Sequence, residues 1–185
     1  MSSVSQPFGL RPAYSPSGVV RPTAYTITSG YAANILQNQP VKIVANGVLE
    51  AAAAGERFIG SFQGVEFTDS DGRRRVSNKW TASLAATEII AYATLDPSIV
   101  YEIQGSASIP QTAIGAQADF DSVTAGSTVT GLSGAMLNAG SIAGTNAQLR
   151  IIGFAPGPDN AAGDSFTIVQ VQISEHQNVA DVAAY

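Results

Sequence analysis

The run Ile99-Val100-Tyr101-Glu102-Ile103-Gln104 decides the fold class. Side chains of an extended strand alternate between faces, so Ile99, Tyr101 and Ile103 share one side and Val100, Glu102 and Gln104 the other. A second run near the end repeats the pattern, with Thr167, Val169, Val171 and Ile173 on one face and Gln170, Gln172 and Ser174 on the other. Residues 149–154 form a third β-like run, continuous enough to predict burial on both faces. Further strands are expected at 41–44, 58–67, 75–81 and 88–94. Between them stand turn signals: Asn46-Gly47, Asp71-Gly72, Asp96-Pro97 and the loop Pro156-Gly157-Pro158-Asp159-Asn160. Short strands with turns at such spacing predict an all-β sandwich or barrel. Helix competes at 51–54, as one turn ended by Gly55, and at 82–93, which is rich in helix formers. The second stretch clusters Ile89, Ile90, Tyr92 and Thr94 before Asp96-Pro97 and reads mostly as strand.

The first 25 residues differ from the rest. Pro7, Pro12, Pro16 and Pro22 interrupt them, and proline holds itself and its predecessor extended. Phe8, Leu10, Tyr14, Val19, Val20 and Tyr25 are more large apolar groups than a solvated tail carries. The segment reads as a docking arm, with a frayed terminus as the bland alternative. The expected layout is an arm at 1–25, a β-domain at 26–176 and a polar tail at 177–185.

Composition narrows the function. The 185 residues are 45% hydrophobic but only 12% charged, about half the usual charged share of roughly 25%. So few charges suggest an exterior that meets other protein. Nine basic against fourteen acidic side chains leave a net charge of −5, which argues against nucleic-acid binding as the main activity. There is no cysteine, hence no disulfide framework or thiolate zinc site. The polar start, 1–6, has no basic-then-apolar leader pattern, and no apolar run approaches the roughly 18 residues of a membrane helix. A soluble protein made in a cytoplasm is expected.

The search for chemistry finds little. His176 is the only histidine, so any Ser-His-Asp triad would have to use it. Its place after the last strand predicts a surface histidine or one satisfied at an interface. Gly131-Leu132-Ser133-Gly134 resembles a nucleophile elbow without its strand-to-helix context. Asp69-Ser70-Asp71-Gly72 starts like a calcium loop, but Arg74 replaces the required glycine and Trp80 the terminal glutamate; a hairpin tip is the better reading. Asp119 and Asp121 would share one face of a strand, as an acid–base pair, a cation site or, the better reading, an exposed edge. Arg73-Arg74-Arg75, with Lys79 and Trp80 nearby, is the one basic cluster. It reads as a dock for an acidic protein surface, a nucleic-acid contact or a solvated loop. No cofactor or metal site and no enzymatic activity are expected.

Several short motifs resemble the cement, or decoration, proteins of short-tailed bacteriophage heads. They are Phe8-Gly9-Leu10-Arg11-Pro12, Asp96-Pro97 leading to Tyr101-Glu102-Ile103-Gln104, and residues 130–137 (Thr-Gly-Leu-Ser-Gly-Ala-Met-Leu). Leu149-Arg150-Ile151-Ile152-Gly153-Phe154, Asp159-Asn160 and Val171-Gln172-Ile173-Ser174-Glu175-His176 complete the set. The stretch 65–80, with its three arginines, has no counterpart in that group. The resemblance implies a jelly-roll-like β-sandwich with an extended N-terminal arm. It further implies a virion location on the outer face of a capsid of HK97-fold major subunits, and self-association as dimers or trimers. Nucleic acid and membrane are not expected partners. Expected contact residues are Phe8, Leu10, Arg11 and Tyr14 in the arm and Arg73, Arg74 and Arg75 in the basic hairpin. The competing reading is a carbohydrate-binding or fibre-like adhesion module, with Trp80, Tyr92 and Tyr101 as a stacking platform.

Overall fold

The computed structural model describes residues 2–121 and 126–183. It is all-β, built from antiparallel sheets, with two short 3₁₀ turns and no α-helix among the described residues. The strands are β1 (Arg11–Tyr14), β2 (Pro22–Tyr25), β3 (Pro40–Ile43), β4 (Leu49–Ala51), β5 (Gly60–Thr68), β6 (Arg74–Ser77) and β7 (Thr87–Thr94). They continue with β8 (Val100–Gln104), β9 (Gln117–Ala118), β10 (Phe120–Asp121), β11 (Met136–Leu137), β12 (Leu149–Phe154) and β13 (Ile168–Ile173). One sheet runs β1-β8-β13-β12-β9. Another runs β2-β7-β5-β3-β4, with β6 paired to the far half of β5, and β10 pairs β11.

The alternating runs form the middle of the five-stranded sheet. Tyr101 and Ile103 of β8, Val169, Val171 and Ile173 of β13, and Leu149 and Ile151 of β12 are buried in one apolar cluster with Leu10, Phe58 and Phe120. Arg150 and Ile152 are only half-buried, so β12 has one core face and not the two expected. Phe62, Val65 and Phe67 of β5 join Ile35, Val41, Leu49 and Trp80 in a second cluster. The apolar residues thus gather into two clusters, and the antiparallel sheets agree with a β-sandwich. Ala51 closes β4 and no helical turn follows it, whereas the 82–93 stretch yields strand β7 as read from its β-branched residues.

Buried polar groups tie the two clusters together. Thr94 Oγ1 accepts a hydrogen bond from Ser61 N at 2.8 Å and lies 2.8 Å from the Tyr101 hydroxyl. All three residues are fully buried, so each bond satisfies a group that would be costly to leave unpaired. Burial also pushes the Tyr101 phenol above its ordinary pKa. Gln148 Nε2 donates to the Ala53 carbonyl at 3.0 Å and also to that of Glu56.

The proline-rich start is not a free arm. It is extended, as proline dictates, but its groove belongs to the same chain. β1 pairs β8 (Arg11↔Glu102, Tyr14↔Val100) and β2 pairs β7 (Pro22↔Thr94, Tyr25↔Ala91). The segment thus runs antiparallel to residues 91–102 and crosses with them from one sheet to the other. Both strands are sheet edges, where proline's missing N–H does no harm. Ser2 is buried, with its N–H on the Asp159 carbonyl at 3.2 Å. Gln104 receives Gln6 N on its Oε1 and donates to the Val4 carbonyl, each at 2.9 Å. The tail is likewise folded back: Gln177 bonds Ile43 N and O at 2.7 and 2.9 Å, and Val182 N reaches the Ser174 carbonyl at 3.1 Å.

Where the paired chains turn between sheets, one carboxylate organises the corner. Asp96 Oδ1 accepts from Ser98 N at 2.9 Å and Ser98 Oγ at 2.6 Å, an Asx turn, while Oδ2 accepts from Ser15 Oγ at 3.1 Å and Ser17 Oγ at 3.3 Å. These donors, Ser98 foremost, hold the Asp96 carboxyl below its ordinary pKa. Its stabilising effect is therefore present above about pH 3.8 and lost as pH falls through the depressed value. We expect Asp96→Ala to cost about 1–3 kcal/mol at neutral pH, lowering the thermal midpoint by roughly 2–4 °C per kcal/mol. Calorimetry showing no change would remove the corner from the stabilising contacts.

Candidate interaction surfaces

The structure separates the seven expected contact residues into two places. Phe8, Leu10, Arg11 and Tyr14 lie at and before β1 on the five-stranded sheet; Arg73, Arg74 and Arg75 lie on the β5–β6 hairpin of the other. Leu10 is 0% exposed and part of the first cluster, so it is unavailable to a partner. Its backbone is fixed as well: Leu10 N donates to the Asn38 carbonyl at 2.7 Å, and Asn38 Nδ2 donates to the Phe8 carbonyl at 3.1 Å. Between them Gly9 takes φ +76°, and a Cβ there would lie 2.8 Å from Ser133 Cβ and 3.0 Å from the Asn38 carbonyl carbon. Phe8 is half-buried, with the Arg11 guanidinium 4.6 Å from its ring centre. Arg11 also pairs with Glu102 across the β1–β8 ladder. Tyr14 is exposed.

Asp71-Gly72 does form a hairpin tip: Gly72 N donates to the Asp69 carbonyl and Asp69 N to the Arg73 carbonyl, both at 2.9 Å. Two of its arginines serve the sheet itself. Arg74 pairs with Glu66 at 3.2 Å and Glu88 at 3.9 Å, and Arg75 Nε with Asp69 at 3.1 Å. The Tyr92 hydroxyl and then Arg74 hold Glu66 below the ordinary carboxylate pKa, and the Ser70 amide does the same for Asp69. Arg73 makes no ion pair or side-chain hydrogen bond among the described residues. The unit expected to present three free cations presents one.

Other candidates turn out to be structural. Trp80 is buried edge-to-face against Phe67, ring centres 5.9 Å apart. Tyr101 is buried and the Tyr92 hydroxyl binds Glu66, so these three aromatics form no exposed stacking platform. Asp119 precedes β10 rather than sharing a strand with Asp121, and its Oδ1 accepts from Gln148 N at 3.2 Å. Ser133 is buried, its Oγ accepting from Ala135 N at 3.2 Å. Among the described residues no three His, Asp or Glu side chains cluster as a metal site would require.

His176 is buried, not on the surface or at an interface with another chain. Its Nε2 donates to the Ile59 carbonyl at 2.9 Å while Nδ1 accepts from Asn178 N at 3.1 Å, which is the neutral ring with both nitrogens satisfied. Burial lowers its pKa below 6.5, partly offset by the Ile59 bond and by Asp96. The unfolded chain therefore takes up the proton first as pH falls, and the folded state loses stability below about pH 6.5 by at most about 1.4 kcal/mol per pH unit. Burial raises Glu175, which acts in the opposite sense. Denaturant titrations at pH 7.5 and 5.5 should show this loss in the native chain and a smaller one in His176→Gln; equal losses would contradict it.

A second exposed surface lies at the sheet corner, where the sequence reading singled out Val19 and Val20 but not Arg21 beside them. Val19, Arg21 and Thr23, at alternate positions leading into and along β2, line a surface groove of about 570 Å³ with Ser17 of the preceding turn and Leu95, Asp96 and Pro97. Val20 points the other way, against the first core cluster. The adjacent pair Val19-Val20 followed by Arg21-Pro22 carried the signal. Compared with protein-family models, with curated proteins and with solved structures, the chain matches none.

Proposed function

We propose that this chain is a structural head protein that binds the outer face of an icosahedral phage capsid and cements neighbouring HK97-fold subunits, acting as a homo-oligomer. One observation carries the reading. The motifs that resemble cement proteins are scattered from residue 8 to residue 176, yet most fall on adjacent strands of a single sheet. Residues 8–12 lead into β1, 101–104 lie in β8, 171–173 end β13, and 149–154 are β12; these are consecutive neighbours. Asp159-Asn160 closes the same unit, since Asn160 Nδ2 donates to the Ala155 and Ile168 carbonyls at 2.8 Å each. Short motifs shared by chance have no reason to assemble into one packed unit. The unfamiliar arginine hairpin belongs to the other sheet. A surface with few charges, most of its cations already paired internally, suits broad contact with protein: association through a standard-size interface of ~1,600 Å² gains avidity when several copies engage one shell.

Mixing the purified chain with heads that lack it, then pelleting the heads, tests the reading. Saturable co-sedimentation at a fixed ratio to the major subunit supports it; a chain that stays in the supernatant at micromolar concentration rejects it.

A further inference from the structure

The nine cations of this chain are almost all engaged within it. Arg11, Lys42, Arg57, Arg74 and Arg75 pair with carboxylates, Lys79 donates to the Thr128 carbonyl, and Arg150 is held by contacts of its own. Arg21 and Arg73 remain without a side-chain partner among the described residues. Arg73 sits on an isolated tip, but Arg21 stands in the corner groove beside Val19, which is 57% exposed. The groove follows a free sheet edge. β2 pairs only β7, and Pro22, Thr23 and Ala24 are exposed. The opposite ends of the two sheets are blunted by the two-residue β9 and three-residue β4, a common protection against unwanted strand pairing. The β2 edge at 22–25 and the segment 19–21 that leads into it instead couple open backbone to alternating side chains: an apolar one at 19 and a cation at 21.

Strand addition recognises a partner through main-chain bonds and selects it through pockets for alternate side chains. We propose that this groove binds an extended segment of a partner protein that lies along residues 19–25, the β2 edge and the segment leading into it, and carries an apolar side chain opposite Val19 and, two residues away, a carboxylate opposite Arg21. The partner's identity rests on the capsid-binding reading; the groove's chemistry does not.

Three labelled eight-residue peptides test it by fluorescence anisotropy: one alternating valine and threonine with a single aspartate, the same with lysine for aspartate, and the aspartate peptide with alternate amides N-methylated. The aspartate peptide should bind at least about tenfold more tightly than the other two. Arg21→Glu should abolish that preference while leaving the thermal midpoint unchanged, since the side chain is exposed and makes no hydrogen bond or ion pair among the described residues. Equal binding of the aspartate and lysine peptides, no binding of either, or an unaltered preference in Arg21→Glu would overturn the inference. Head pelleting with Arg21→Glu separates the two proposals. Loss of pelleting agrees with the groove as a shell contact. Undiminished pelleting refutes that role while the capsid reading stands, and failure of the native chain to pellet refutes the capsid reading alone.

Discussion

Deletion of residues 1–20 should destabilise the isolated chain, lowering its thermal midpoint by at least about 5 °C. Leu10 accounts for most of this. It is fully buried among Phe58, Tyr101 and Phe120 in the first cluster, and emptying such a site costs about 2–5 kcal/mol, or roughly 2–4 °C per kcal/mol for a chain of this length. Loss of β1 also bares one edge of β8, and loss of Ser15 and Ser17 removes two donors from Asp96. The deletion removes ordering entropy as well, about 1–2 kcal/mol per residue no longer fixed, which offsets part of the loss. Leu10→Ala keeps the segment and isolates the apolar term, and should by itself cost about 2–5 kcal/mol. If both variants melt with the native chain, the N-terminal segment is a separable arm after all.

Gly60→Ala should be a severely damaging substitution for a single methyl group. A Cβ on Gly60 would sit on the Thr94 carbonyl, 2.9 Å from its carbon and closer still to its oxygen and to Oγ1. The same Thr94 hydroxyl joins Ser61 to Tyr101 where the two clusters meet. Ordinary overpacking costs about 1–3 kcal/mol because side chains can shift; here the obstacle is Thr94 backbone, held opposite Pro22 in the β2–β7 ladder. We expect a loss beyond that range, seen as insoluble protein or a midpoint lowered by more than about 10 °C. Gly153→Ala adds its Cβ to open space and should be close to neutral. A Gly60→Ala chain as stable as Gly153→Ala would mean that β5 and β7 do not approach each other at Gly60 and Thr94 as described.

The all-β fold was legible because its middle strands obey the period-2 rule. Val169, Val171 and Ile173 are buried and their neighbours half-buried, as the alternation in 168–173 predicts. β1 and β2 were not legible as strands because their prolines and exposed residues are those of edges, which carry no apolar alternation. Leu10 looked like a docking residue for the same reason that it is a core residue: a large apolar group needs a groove, and composition does not say whose. The arginine triplet was visible as charge, but its partners Glu66, Glu88 and Asp69 come from across a sheet and a turn. Only register reveals them. His176 was read from its polar neighbours Glu175 and Gln177, whereas its ring turns inward to the Ile59 carbonyl.

If the chain cements a shell, as proposed, its role is mechanical. Heads stripped of it and heads saturated with it should therefore differ when heated, read as the temperature at which packaged DNA becomes accessible to an intercalating dye. Saturated heads should show the higher release temperature. Identical release temperatures for saturated and stripped heads would contradict it.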